Sequence, residues 1–254
     1  MDFFIIFYSF ILGLLIGSFL NVVGLRVPLG KSIVKPRSAC TTCKRTLTAT
    51  DLIPVISFLF FGGKCKTCGE KISIMYPTVE LLTGLLYAYA AYSIGIEWEL
   101  LAAFLLISLG MVIIVTDISY MLIPNKILLF FAIVIIPIRV LSPLTPWWDA
   151  IVGAIVGFVL LYFVAVVSKG GMGGGDVKLF AVLGLFLGLK GVLLTFFLST
   201  FIGAVFGIIG LISGKIKRKQ AIPFGPYIIV ASLIAYFFGE QMIMWYIEQF
   251  FSKG

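Results

Sequence analysis

The sequence predicts an all-α fold, a polytopic bundle of about eight transmembrane helices with one small zinc-knuckle-like cytoplasmic loop. Three observations predict it. The 254 residues are 61% hydrophobic and 12% charged, with mean hydropathy +1.17, where a soluble domain carries about a quarter charged residues. The apolar residues gather in runs that suit spanning helices, which need roughly 20 residues each. The basic residues sort by loop. If the segment after the first run is cytoplasmic, all but Arg139, Lys190 and Lys253 of the 19 Lys and Arg fall on that side, as the positive-inside rule requires. The net charge of +8 then reflects membrane orientation. No soluble domain is left to hold a nucleic acid, and the lipid bilayer is the expected surrounding.

The runs place helices near 3–25, 76–94, 100–117, 122–140, 148–167, 177–189, 191–213 and 223–239. The first follows Met1-Asp2 with no basic leader and no A-x-A site, so it is expected to be retained as a helix and not removed as a signal. The only long polar stretch, 26–75, carries all four cysteines and nine basic residues. The sixth and seventh runs almost meet through Leu189-Lys190-Gly191, and the tail Met242–Phe251 extends the last helix or lies in the interface. The outer loops show Glu97-Trp98-Glu99 and the SPLTPWWD stretch from Ser142 to Asp149, and no internal repeat is visible. Three parts follow: 1–25, a first transmembrane helix; 26–75, the cysteine loop; and 76–254, a transmembrane core.

Histidine is absent. That excludes Ser-His and Cys-His catalysis, H-E-x-x-H metalloproteases and His-ligated metals, and leaves acid–base work to Asp, Glu, Lys, Cys or Tyr. Asp117 ends the run LLISLGMVIIVTD. A carboxylate at that depth costs on the order of 2–3 kcal/mol and marks a functional site by default; the other reading is an interfacial acid before Pro124. Asp176 closes Gly173-Gly174-Gly175-Asp176, with five glycines in 170–175. It reads either as a helix N-cap after a flexible loop or as a second site carboxylate approached closely by backbone. No G-K-[ST] follows to make a phosphate loop. The helix count puts both acids on one membrane face, where paired carboxylates share a proton and one activates water. The chemistry expected is that of an aspartyl protease, with Asp117 and Asp176 catalytic.

Cys40-x2-Cys43 and Cys65-x2-Cys68 form two knuckles in one basic loop, the pattern of a four-thiolate structural zinc site. A disulfide pair or redox C-x-x-C is the alternative, disfavoured on a reducing cytoplasmic face. Glu80, one turn inside the second helix, is either a helix-start carboxylate or a functional acid, here a candidate for cofactor binding.

Taken in order, Gly17-Ser18-Phe19-Leu20-Asn21 with Arg26 and Pro28, the double C-x-x-C loop, Tyr76-Pro77 with Glu80, Asp117 before Ile123-Pro124-Asn125, the G-x-G-D run with Lys178, and Ile222-Pro223-Phe224-Gly225-Pro226 resemble the type IV prepilin peptidases. This leader peptidase/N-methyltransferase family also serves competence pseudopilins and type II secretion. The resemblance covers nearly the whole chain. It implies cleavage of the basic leader of type IV prepilins or pseudopilins after glycine, at the cytoplasmic face of a bacterial cytoplasmic membrane. It further implies N-methylation of the new N-terminus with S-adenosylmethionine, because the cysteine loop goes with the two-activity form. Proline often flanks the first cysteine pair in that family; Ala39 and Thr41 stand there here.

Three rivals remain to be separated. A presenilin-like protease shares G-x-G-D but needs a Pro-Ala-Leu motif near the C-terminus, which is absent. An ion-coupled transporter would use the aspartates as a relay and need a membrane gradient. A thiol redox protein would depend on the cysteines and not on Asp117 or Asp176.

Overall fold

In the computed structural model, residues 3–168, 172–214 and 222–250 are described. The helices are α1 (Phe3–Arg26), α2 (Ile56–Phe60), α3 (Met75–Ile94), α4 (Trp98–Tyr120), α5 (Asn125–Leu141), α6 (Asp149–Val167), α7 (Gly174–Ile212) and α8 (Gly225–Phe250). Five of them, α1, α4, α6, α7 and α8, are long and apolar enough to cross a membrane by length and composition. The chain is a multi-pass membrane protein. Its long helical segments match the eight expected runs one for one, because α7 is broken at Gly188. The tail from Met242 continues α8. Gly170, Gly171 and the basic cluster Lys215 to Lys219 lie outside the described residues.

The chain divides into two units, Met1–Tyr120 and Met121–Gly254. In the first, α1 and α3 run antiparallel at backbone contact. A Cβ on Gly13 would meet Thr83 O at 2.7 Å, and one on Gly17 would meet Glu80 Cα at 2.9 Å. Without a hydrophobic driving force inside lipid, helices associate through such small-residue contacts. The C-terminal end of α4 lies level with that of α1: Gly24 faces Val115, and Tyr120 Oη donates to Leu25 O at 3.0 Å. Between α3 and α4, Tyr87 stacks on Phe104 and hydrogen-bonds Ser108 at 2.7 Å. The core of the unit is the fully buried face of α4, with Leu106, Ile107, Leu109 and Ile113.

In the second unit, α6 and α7 pack antiparallel through Gly153 and Gly157 against Gly184 and Phe180. At about 1.5 Å per residue, 39 residues of α7 exceed a bilayer core of about 30 Å, so the helix must break to cross twice. Gly188 makes the break with φ 67° and ψ −172°, a conformation open essentially to glycine alone. The exposed helix ends are then capped by side chains. Arg139 donates through Nε to Leu185 O at 3.2 Å and through Nη2 to Phe186 O at 2.6 Å. Asp149 Oδ2 accepts from Leu189 N at 3.2 Å. This explains why a basic residue persists on α5, away from the basic loops.

A Cβ on Gly188 would strike the Asp149 carboxylate and hold a forbidden φ. Gly188→Ala is expected to cost about 1–3 kcal/mol, visible as a lower unfolding temperature in detergent, whereas Gly207→Ala, where a Cβ meets open space, is expected to change it little.

Candidate functional site

The loop between α1 and α3 is ordered around its cysteines. Each knuckle repeats the same local pattern. Cys40 N donates to Arg45 O and Lys44 N to Cys40 O; likewise Cys65 N donates to Glu70 O and Gly69 N to Cys65 O. The fifth residue of each turn has positive φ, 58° at Lys44 and 71° at Gly69. Bridges Ala39–Thr46 and Lys64–Lys71 close the two turns. Little in the sequence announces this equivalence, because beyond the cysteines only Thr42 and Thr67 coincide.

The four sulfurs lie within 4.8 Å of one another. Cys40 and Cys68 sulfurs are 3.7 Å apart and Cys43 and Cys65 sulfurs 3.9 Å apart, far beyond the 2.05 Å of a disulfide. Tetrahedral zinc with Zn–S near 2.3 Å requires S···S of about 3.8 Å. The cluster fits such an ion. Backbone N–H groups of Cys68 and Thr67 bring the Cys65 thiol down to about 6, and those of Cys43 and Thr42 lower Cys40. The Glu70 N–H favours the Cys68 thiolate, but desolvation and the neighbouring sulfurs of Cys65, Cys43 and Cys40 push that thiol up to about 11.

Asp51 ties the loop together. Its carboxylate accepts from Arg45 Nη1 and Lys66 Nζ at 3.0 Å each and from Thr48 N at 2.9 Å. The Arg45 guanidinium, then Thr48 N–H, hold its carboxyl well below the usual range. Its stabilisation is therefore complete above that range and lost only as pH falls below it.

Asp117 is buried on α4, 6% exposed, three residues before the helix ends at Tyr120. Asp176 is buried at 9% exposure in the first turn of α7. It is not the N-cap; Gly173 is, and its carbonyl accepts from Asp176 N at 3.1 Å. The Asp176 side chain folds back so closely that a Cβ on Gly173 would meet Oδ2 at 3.1 Å, while Gly175 abuts Ile123. Lys178 Nζ donates to Asn125 Oδ1 at 3.1 Å and ties the start of α7 to the start of α5. Gly173 and Gly175 are thus the glycines that close approach needs, at Asp176 and Ile123, while a Cβ on Gly174 would meet open space.

Glu80 is buried on α3, beyond its first turn, and accepts from Val55 N at 2.8 Å. Asn21 donates to Tyr76 O at 3.2 Å, and its buried Oδ1 accepts no bond among the described residues. The Val55 turn was not legible in the sequence, since nothing local marks a β-branched residue for positive φ.

Residues 11–94 match the bacterial peptidase A24 N-terminal domain and residues 100–208 the type IV leader peptidase family. The prepilin leader peptidase/N-methyltransferase of Bacillus subtilis (strain 168) is 47% identical over 239 residues, 94% of this chain and 96% of that one. The chain belongs to the type IV leader peptidase family. Proteins of the same name from Aeromonas salmonicida and Pseudomonas aeruginosa are 34% and 35% identical, each over 94% of this chain and 92% of theirs. No solved structure matches the chain.

The knuckle geometry makes a prediction independent of any activity. Gly69→Val should loosen the loop by about 1–2 kcal/mol, the cost of a side chain in the left-handed region, whereas Lys44→Gly should be neutral or stabilising. Limited proteolysis of 26–75 in the purified protein measures both.

Proposed function

We propose that this protein is a membrane leader peptidase and N-methyltransferase acting on type IV prepilins or pseudopilins. In this reading Asp117 and Asp176 form the catalytic pair. The observation that carries it is a buried carboxylate near each of two helix ends, in a chain aligned over almost its whole length with relatives of that name. The chemistry needs no histidine. One carboxylate takes a proton from water as its oxygen adds to the scissile carbonyl after glycine, and the other, protonated, gives its proton to the departing nitrogen. The pair titrates as a unit. The products are a leader ending in a glycine carboxylate and a chain with a new α-amino group.

S-adenosylmethionine is the co-substrate of the second activity and supplies the methyl group from its sulfonium. The new amine attacks as its neutral form and loses a proton on methylation. The cysteine loop, residues 26–75, is the module assigned to that activity. Zinc held by Cys40, Cys43, Cys65 and Cys68 would leave no open coordination position, so its role is to fold the loop. The active face is the cytoplasmic one, where the basic loops lie by the positive-inside rule. The core that follows the loop, 76–254, is assigned to peptidase chemistry.

Three experiments test this reading. With a purified prepilin, Asp117→Asn and Asp176→Asn should each lower cleavage by about 10³-fold or more, as expected when an acid–base group is removed, while the protein stays membrane-inserted. Near-normal cleavage by either variant would refute the pair. Elemental analysis should find about one zinc per chain, and Cys40→Ser or Cys68→Ser should depress methylation more than cleavage in a mass-resolved time course. Equal loss of both activities would instead make the loop a general scaffold.

A further inference from the structure

The loop contains a short helix whose outward face is wholly apolar. Ile56, Leu59 and Phe60 of α2 stand at i, i+3 and i+4, on one helical face, and are 60%, 72% and 83% exposed. The half-buried Phe58 packs inward on Gly63 of the second knuckle, so α2 is fixed with this face turned away from the loop. A surface of this kind is unusual on a part of a protein surrounded by water.

Its depth follows from one hydrogen bond. Val55, immediately before α2, donates its N–H to Glu80 at 2.8 Å. Glu80 lies against Gly17 of α1, nine residues before Arg26, which is about 14 Å along the helix axis. A glutamate side chain and a hydrogen bond together span roughly 7 Å. Val55 therefore sits roughly 7 Å or more below the Arg26 end of α1, the level at which interfacial apolar faces enter the acyl boundary, about 5–10 Å deep. The local backbone agrees. Val55 adopts φ 60° and ψ −49°, an unfavourable conformation for a β-branched residue, with Ile56 N–H turned onto Pro54 O. Irregular backbone at membrane depth persists only where the protein satisfies its polar groups, and Glu80 satisfies this one. Lys64 and Lys71, paired across their bridge and exposed, lie on the same knuckle, where lysines favour lipid phosphates.

We propose that the segment Ile53–Phe60 is an interfacial membrane anchor: Glu80 latches Val55 at the foot of α3, and the Ile56, Leu59 and Phe60 face of α2 lies in the headgroup–acyl boundary of the bilayer. The cysteine loop is thereby pinned to the membrane surface at a fixed height. The occupant is lipid, because the face is continuous in depth with α1, a helix long and apolar enough to span, and Lys64, whose N–H bonds Phe61 O, follows directly on it. This inference rests on the membrane placement of α1 and not on the catalytic assignment.

The test uses the full-length protein in vesicles of phosphatidylethanolamine and phosphatidylglycerol, with a photoreactive benzoylphenylalanine at Phe60. The same probe at Phe197 on α7 serves as the spanning control, and at Thr67 as the exposed knuckle control. Irradiation and mass analysis should give lipid adducts at position 60 close to the yield at 197 and about tenfold above that at 67, as interfacial burial requires. Yield at 60 no greater than at 67, or crosslinking to a second copy of the chain in place of lipid, would overturn the proposal. Glu80→Ala should reduce the adduct at 60 severalfold without changing that at 197, and Glu80→Gln, which keeps an acceptor, should restore it. Undiminished adducts in Glu80→Ala, with the control at 197 intact, would overturn the latch. Neither readout depends on cleavage or methylation, so the proposal and the enzymatic reading fail separately.

Discussion

Hydrocarbon offers no hydrogen bonds, so each polar backbone group that leaves a helix within the membrane must find its partner inside the protein. At two irregular points of this chain the freed polar groups find their partners inside the protein. Where α7 breaks at Gly188, the freed carbonyls of Leu185 and Phe186 go to Arg139, and the freed N–H of Leu189 goes to Asp149. Where the loop turns at Val55, its N–H goes to Glu80. Arg139, Asp149 and Glu80, unexpected charges in so apolar a sequence, are the partners of these breaks.

The same solvent explains how the helices meet. Burying leucine against leucine gains little in lipid, so close backbone approach supplies the contact. Gly13 and Gly17 in one unit, and Gly153, Gly157 and Gly184 in the other, occupy positions where a Cβ would collide with a neighbouring helix. Gly175 does the same beside Asp176, where its contact with Ile123 lets the first turn of α7 close over the start of α5. Glycine near the carboxylate is thus a packing requirement, and the G-x-G-D spacing records it.

Much of this was legible beforehand. Hydropathy located every long helical segment, because a spanning run is a composition signal that needs no tertiary information. The cysteine spacing located the thiol cluster, since two C-x-x-C turns bring four sulfurs together with few alternatives. The Gly188 break was half visible as two runs that nearly touch; its caps were not, because Arg139 and Asp149 are 40 or more residues from their partners in sequence terms and carry no motif. The sequence left Glu80 between a helix-start acid and a binding residue. The structure gives it a partner, Val55, that no periodicity could have named. The apolar face of α2 was hidden in a stretch read as polar loop, because five helical residues are too few to show a period.

The chemistry proposed for the family member before us is carboxylate chemistry in a protein without histidine. Two coupled carboxylates impose a distinctive dependence on pH: activity requires one of the pair to be charged and the other protonated, so it must fall on both sides of an optimum. The most direct measurement is kcat/KM for leader cleavage across pH in bilayer discs, by the purified protein. The account predicts a bell with both limbs in the range where carboxylates titrate, unchanged when the cysteines are blocked. A profile that rises through neutral pH with a single limb and collapses on thiol blocking would contradict it.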